Sequence, residues 1–260
     1  MNKVLVTGAG SGIGRELVKL FLADGSKVLA VSLLDAELER LTIDVASSAE
    51  RLQTLQMDLA EPASAEKLLS WCLDHDWVPD TLVNNAGFAC FGEAVDLPLD
   101  RVTAMLELNV ATLTKTSMLF GSLMKDRRRG SILNVGSTAG MVPAARMAAY
   151  CATKSYVNTF SFALAAELKP YGVTVTCLMP GATQTNFARA GGIDDFKGKS
   201  MLHDMFAKNK AGSPAEVARG GYDALAKHKR HALVGKGSLL ASILSRAVPQ
   251  QRLPDLIKNP

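Results

Sequence analysis

The feature that most constrains the fold is a regular alternation of short, β-branched apolar runs with longer segments of helical periodicity. Strands of this kind, joined by helices, form crossover units with parallel pairing, and both faces of the sheet are then covered. We therefore expect an α/β fold, a doubly wound domain with about seven parallel strands and helices on both faces. The predicted strands are Lys3–Val6, Lys27–Val31, Gln53–Met57, Thr81–Val83, Ser131–Val135, Val173–Leu178 and His231–Val234. The predicted helices are Ile13–Ala23, Ala36–Ala46, Ser64–His75, Val102–Met124, Ala149–Leu168 and Pro214–Lys227.

Composition limits the class of protein. Hydrophobic residues make up 48% and charged residues 21% of the 260 residues, a balance typical of soluble globular chains. No change of composition marks a linker, so we expect one domain over residues 1–260. No run reaches the roughly 18 apolar residues of a membrane span, and the first residues lack the pattern of a secretory signal. The four cysteines are scattered, which favours a reduced, cytoplasmic protein.

Neither nucleic acid nor a metal ion is expected as a partner. The net charge of +4 is mild. The basic runs 125–129 and 227–231 lie between apolar segments and carry no interleaved aromatic residues, so solvated helix ends explain them best. The four histidines show no metal-ligand spacing with cysteine or with each other.

A glycine-rich turn joins the first predicted strand to the first predicted helix. Its spacing is Gly-x-x-x-Gly-x-Gly, which differs from the common dinucleotide fingerprint G-x-G-x-x-G. Glycine permits tight turns and close approach of a ligand, and the helix that follows offers free N–H groups and a positive dipole end to a pyrophosphate. The predicted cofactor contacts in this turn are Gly8, Ser11, Gly12, Ile13 and Gly14.

The choice of cofactor depends on the end of the second strand, where an acidic residue often binds the adenosine ribose. Ser32 occupies that place, and we expect Asp35 to cap the next helix. A serine does not repel a 2′-phosphate, whereas a carboxylate would. No arginine or lysine stands at Ser11, Leu33 or Leu34 to bind the phosphate. We predict NADP(H), with NAD(H) as the alternative.

Tyr150 and Lys154 lie one turn apart on a predicted helix, so they share a face. A free phenol has a pKa of about 10, and a nearby cation can lower that pKa by about 1–3 units, towards the range useful for acid–base catalysis. An ordinary amphipathic helix could also carry this pair. Ser137, however, follows the strand Ser131–Val135 and can hold a substrate oxygen beside the phenol. Other strands are followed by Asp58, by Asn84–Gly87 and by Pro180–Gly181, and all these groups fall on one predicted edge of the sheet.

Together these residues resemble the short-chain dehydrogenase/reductase family in its single-domain, Rossmann-type form. The resemblance runs from Lys3 to about Asn186 and is weaker over Ser213–Val234. Its motifs are Thr7-Gly8-x-x-x-Gly12-x-Gly14, Asp58-Leu59, Asn84-Asn85-Ala86-Gly87, Asn109, Ser137, Tyr150-x-x-x-Lys154 and Pro180-Gly181-x-x-x-Thr185.

The resemblance implies four catalytic residues. Tyr150 would be the general acid/base, and Ser137 would orient the substrate oxygen. Lys154 would bind the nicotinamide ribose and lower the phenol pKa, and Asn109 would hold a water of a proton relay. Asp58 would contact the adenine and Thr185 the carboxamide. Further expected cofactor contacts are Ser32, Leu59, Asn85, Ala86, Gly87, Pro180 and Gly181.

The implied activity is NAD(P)-dependent hydride transfer between nicotinamide and a carbonyl or secondary alcohol. The substrate would be a small hydrophobic molecule, covered by the segment 186–212 with its apolar residues Phe187, Met201, Leu202, Met205 and Phe206. Ordinary packing of that segment against the sheet is the alternative. A regulatory protein that binds NADP(H) without turnover, and a surface-associated scaffold, are the other functions left open.

The tail 238–260 carries apolar residues beside basic ones. It could lie on a membrane surface, but a subunit contact or a docked helix is the preferred interpretation. The resemblance also implies a homodimer or homotetramer.

Overall fold

A computed structural model of the chain describes residues 2–184, 187, 211–235 and 237–254. Within them, seven parallel strands form one sheet in the order β3-β2-β1-β4-β5-β6-β7. The expected doubly wound α/β fold is confirmed, and each predicted strand is present with its ends within two residues of the prediction. The strands are β1 Lys3–Thr7, β2 Lys27–Ser32, β3 Leu52–Gln56, β4 Thr81–Asn84, β5 Gly130–Val135, β6 Val173–Pro180 and β7 His231–Val234.

Helices cover both faces of the sheet, because successive strand residues point to opposite sides and both sides are apolar. The helices are α1 Gly12–Ala23, α2 Asp35–Asp44, α3 Ser64–Asp74, α4 Leu99–Leu106, α5 Leu113–Asp126, α6 Ala148–Leu168, α7 Pro214–Ala226 and α8 Ser238–Ala247. In β1, for example, Val4 and Val6 pack against α1, α2 and α7, whereas Leu5 packs against α3, α5 and α6. The single-domain assignment of residues 1–260 stays a prediction.

One predicted helix is divided in the structure. The periodicity over Val102–Met124 suggested a continuous helix, but a π-helical turn, Glu107–Thr112, separates α4 from α5. The turn carries the fully buried Asn109, and such turns occur often at functional sites. A smaller correction concerns Asp35, which is the first residue of α2, while Leu34 stands at the N-cap.

A buried polar network holds the carboxyl ends of β4 and β5 in register. Asn84 Nδ2 donates to Asn134 Oδ1 over 2.9 Å, and Asn134 Nδ2 donates to Ser161 Oγ over 3.1 Å on α6. Asn84 also bonds to Thr116 and Ser117 on α5, at 2.9 Å each. Because buried amides are costly to leave unpaired, this network fixes both helices relative to the strand ends that they flank.

The structure shows where the basic runs and the start of the C-terminal tail lie. The basic runs 125–129 and 227–231 lie at the ends of α5 and α7, each just before a strand, and so at the amino-terminal edge of the sheet. Helix α8 exposes Leu239, Leu240 and Ile243. The tail's partner, whether a membrane, a subunit or this chain, stays a prediction. In the described part of the chain, none of the helices combines the length and the hydropathy needed to span a bilayer.

Candidate active site

The candidate site lies where the strand order reverses, between the carboxyl ends of β1 and β4, the place where open parallel sheets bind ligands. Thr7 Oγ1 accepts hydrogen bonds from the backbone N–H groups of Asn85 and Ala86, at 3.0 and 3.1 Å. The Asn85 amide donates to the carbonyls of Thr7 and Gly8, at 3.0 and 2.9 Å. The side chain of Asn85, expected to contact the cofactor, therefore joins the two strand ends across the crevice.

The glycine turn fits a pyrophosphate group. Gly8 and Gly12 have φ of +61° and +54°, a conformation that side chains rarely adopt. A Cβ at Gly14 would lie 2.1 Å from the Gly8 carbonyl oxygen, so the helix could not approach the turn this closely with any larger residue. Ser11, at the N-cap of α1, makes no side-chain capping bond within the described part of the chain, so the N–H groups of the first turn remain suited to an anion.

At the end of β2, Ser32 is buried, and its hydroxyl donates to Glu37 Oε2 over 3.2 Å. Glu37 lies in the first turn of α2, beyond the strand end where the sequence predicts the ribose contact, and so it is absent from the predicted site.

The other predicted cofactor residues that the structure describes also lie at this edge. Asp58 is exposed, and its carboxylate caps the N–H of Ala60 at 2.8 Å. The Leu59 carbonyl accepts from Thr112 and Ser64. Pro180 ends β6, and Gly181 N–H donates to the Val234 carbonyl over 2.8 Å. Thr185 and residues 201–206 lie outside the described residues, so their predicted contacts stay predictions. Among the described residues, no group of three acidic, histidine or cysteine side chains could hold a metal ion.

Ser137, Tyr150 and Lys154 come together between β5 and the start of α6. Lys154 Nζ donates to the Val135 carbonyl over 2.9 Å and lies 6.0 Å from the centre of the Tyr150 ring. A Cβ on Gly87 would lie 3.6 Å from that Nζ atom and 2.8 Å from Asn109 Oδ1, so the lack of a side chain at Gly87 leaves room for both groups.

Burial shifts the two titratable groups of this cluster in opposite directions. It raises the pKa of Tyr150 well above its usual value, and hydrogen bonding with Ser137 offsets only part of that rise. It lowers the pKa of Lys154 to about 8, against a weaker opposing effect of Cys177. Desolvation is thus the largest influence on the phenol in this structure, and the lowering of its pKa by the ammonium of Lys154 stays a prediction for the cofactor-bound site.

The side chain of Asn109 joins two segments of the chain by hydrogen bonds. Its Oδ1 accepts from Phe88 N–H at 3.1 Å, and its Nδ2 donates to the Phe88 carbonyl at 2.9 Å and to Thr153 Oγ1 at 3.2 Å. Thr153 in turn donates to the Tyr150 carbonyl at 2.7 Å. The side chain thus ties the loop after β4 to the turn of α6 that carries the phenol. A water held by Asn109 stays a prediction.

Comparisons with known proteins agree with this geometry. The sequence model of the family "short chain dehydrogenase" matches residues 2–193. The chain belongs to this family. It is 30% identical over 256 residues to the probable oxidoreductase EphD of Mycobacterium tuberculosis (strain ATCC 25618 / H37Rv), an alignment that covers 95% of this chain and 43% of EphD. The chain thus spans less than half the length of EphD.

Two further relatives cover more of their own length. The dehydrogenase/reductase SDR family member 7B of Mus musculus is 31% identical over 237 residues, 89% of this chain and 72% of that protein. The solved structure of serine dehydrogenase in its closed form, complexed with NADP+, has a TM-score of 0.77 and 29% identity, and the match covers 90% of this chain and 94% of that one. The resemblance on which the sequence analysis relied is confirmed.

Within this short-chain dehydrogenase site, the structure reveals a positioning residue that the sequence analysis missed. Asn158 Nδ2 donates to the Ser137 carbonyl over 2.9 Å, and its Oδ1 accepts from Ser137 N–H at 3.3 Å. A Cβ on Gly136 would lie 2.0 Å from that oxygen. Asn158 stands four residues after Lys154 and eight after Tyr150, so helical spacing alone could have placed it on the same face.

Removing the Asn158 amide should slow the reaction without unfolding the chain. In Asn158→Ala, the Ser137 N–H loses its Asn158 partner and the Ser137 carbonyl keeps only the bond from Gly140 N–H. A displacement of about 1 Å at a reacting group can cost roughly 100-fold in rate. We expect kcat to fall by about 10- to 100-fold with nearly unchanged cofactor affinity. Thr159→Ala, an exposed neighbour on α6, is the matched control. Equal kcat values for the two variants would contradict the positioning role.

Replacing Lys154 should stabilise the fold while it removes the ammonium. A pKa lowered from 10.5 to about 8 means that charging this buried group costs the folded state about 3 kcal/mol below pH 8. The Val135 carbonyl would lose its donor, which costs about 1 kcal/mol, so Lys154→Met should be more stable by about 1–2 kcal/mol at pH 7. Denaturant unfolding of the cofactor-free protein measures this difference.

The sign of the pH dependence provides the control. Between pH 8 and 10.5 the unfolded wild-type chain keeps the lysine proton that the folded chain has released, so the contribution of Lys154 to wild-type stability rises with pH. The advantage of Lys154→Met should therefore shrink by pH 10, whereas the exposed Lys169→Met should show none at either pH. A gain that is absent at pH 7, or equal at both pH values, would show that the buried charge is not the cause.

Proposed function

We propose that the protein is an NAD(P)-dependent oxidoreductase that interconverts a carbonyl and a secondary alcohol, with Tyr150 as the general acid/base. The observation that carries this proposal is the cluster of Ser137, Tyr150 and Lys154 beside the crevice that begins at the glycine turn. When bound, the nicotinamide dinucleotide supplies or accepts the hydride. The NADP+ named in the solved serine dehydrogenase structure supports this choice of cofactor class.

The residues divide the remaining chemistry among them. Because burial keeps the Tyr150 phenol protonated at neutral pH, it is a proton donor to the oxygen of a carbonyl undergoing reduction. Ser137 Oγ would hold the same oxygen by a hydrogen bond and so orient the carbon towards the nicotinamide. Lys154, with a pKa near 8, can exchange a proton near neutral pH and would bind the nicotinamide ribose.

The surroundings of Tyr150 support a hydrophobic substrate. The phenol ring lies 5.3 Å from the ring of Phe187, centre to centre, and Phe91 lies 6.4 Å from Phe187 in an edge-on arrangement. Met147 and Phe88 belong to the same apolar cluster. Apolar walls with few polar groups are typical of pockets for apolar ligands, so the reactive oxygen would be the polar point of the substrate.

Tyr150→Phe tests the proposed role of the phenol. It removes the proton donor but keeps the ring, so we expect kcat to fall by about 10²- to 10⁴-fold and the cofactor Kd to stay within about threefold. Activity is assayed with NADH and NADPH against a panel of aliphatic, aromatic and steroid-like ketones. Tyr156→Phe is the matched control, since Tyr156 lies on the same helix, is 41% exposed and bonds only to Thr114 among the described residues.

The outcomes separate the candidate functions. Substantial turnover in Tyr150→Phe, or a loss no greater than in Tyr156→Phe, would overturn the assignment of the acid/base. Saturable cofactor binding without turnover of any ketone in the panel would favour a regulatory protein.

A further inference from the structure

The carboxylate of Glu37 lies at the carboxyl end of β2, although that strand ends in a neutral residue. Its Oε2 accepts the Ser32 hydroxyl at 3.2 Å. A Cβ on Gly10 would lie 2.6 Å from that oxygen and 2.8 Å from Ser32 Oγ. The absence of a side chain at Gly10 therefore lets the glycine turn lie directly against this pair.

The contact between the glycine turn and β2 indicates which part of a bound dinucleotide the Glu37 carboxylate would face. Ala9 N–H donates to the Val31 carbonyl over 3.0 Å, so the glycine turn crosses the end of β2. In strand–turn–helix sites of this type, the pyrophosphate lies at the helix N-terminus and the adenosine ribose is bound by a group about 20 residues further on. Glu37 would thus face the 2′ position of that ribose, because its carboxylate lies between the turn and the strand end.

Charge at this point separates the two dinucleotides. A ribose hydroxyl can donate to a carboxylate, and bonds to an ionised acceptor are the stronger kind. A 2′-phosphate instead brings about two further negative charges and would meet like charge. The first turn of α2, where a positive dipole end could favour a phosphate, carries Asp35 and Glu37. Ser11, Leu33 and Leu34 offer no cation in compensation.

We propose that Glu37 supplies the carboxylate that the end of β2 lacks and makes NAD(H) the preferred cofactor over NADP(H). This inference rests on the proposed function, since it assumes that the glycine turn binds a nicotinamide dinucleotide. This proposal replaces the preference for NADP(H) that was based on the uncharged Ser32. The Ser32 hydroxyl donates to the carboxylate of Glu37, so the end of β2 carries a negative charge after all.

The test is a binding titration that does not depend on turnover. NADH and NADPH are titrated against the wild type, Glu37→Gln and Glu39→Gln, with the fluorescence of the reduced nicotinamide as signal. We expect the wild type to bind NADH about tenfold more tightly than NADPH. Glu37→Gln should remove most of that preference, chiefly through a lower Kd for NADPH. Glu39→Gln loses the same charge from an exposed site on α2 and should behave as the wild type.

Each result decides the inference. Tighter binding of NADPH by the wild type would overturn it, as would a ratio of Kd values equal in the wild type and Glu37→Gln. In both cases the proposed oxidoreductase function would stand. Failure of both dinucleotides to saturate the wild type would overturn the proposed function and this inference with it. Thermal unfolding of Glu37→Gln, expected within a few degrees of the wild type, verifies that the variant is folded.

Discussion

All seven described strands run in one direction, and this constraint decides where the chain can place its chemistry. Parallel strands bring their carboxyl ends to one edge, so residues far apart in sequence meet there. Thr7 and Asn85 bond across the reversal of strand order, and Ser137 follows the next strand along. The buried amide pair Asn84 and Asn134 keeps these strand ends level. The position of the site thus follows from the register of the parallel strands, and packing of the core fixes that register.

Burial shifts the pKa values of the cluster at a cost to stability. Helix α6 packs against β5 and β6 and takes Tyr150 and Lys154 out of water. Desolvation favours the neutral form of each, so the phenol keeps its proton and the ammonium gives up its own more readily. The pKa values of the two groups, nearly equal in water, therefore move apart, and the lysine releases its proton well before the phenol does. A core built for stability alone would hold an apolar side chain at position 154.

The sequence alone predicts the features that depend on the periodicity of apolar residues and on the order of strands and helices. Strands and helices follow from apolar residues that recur every two, or every three to four, positions. The order of these elements predicts the sheet edge, and the four-residue spacing places Tyr150 and Lys154 on one helix face. Features that depend on close packing could not be obtained in this way. The π-helical turn carries Asn109, whose amide bonds to both Phe88 and Thr153, and no periodicity in the sequence indicates these contacts. A sequence likewise shows the charge next to Tyr150 but not the loss of solvent that raises the pKa of its phenol.

Cofactor choice shows the same difference between a position in sequence and a position in space. A rule based on the strand end considers one residue, Ser32, which is uncharged. The electrostatic potential at the ribose depends instead on every charge within a few ångströms, whichever element supplies it. Since Leu33 and Leu34 are more than half exposed, a cation placed at either would be screened by water and could pair with Glu37. On the role proposed for Glu37, selectivity for a 2′-phosphate would require the loss of that carboxylate before the gain of any positive charge.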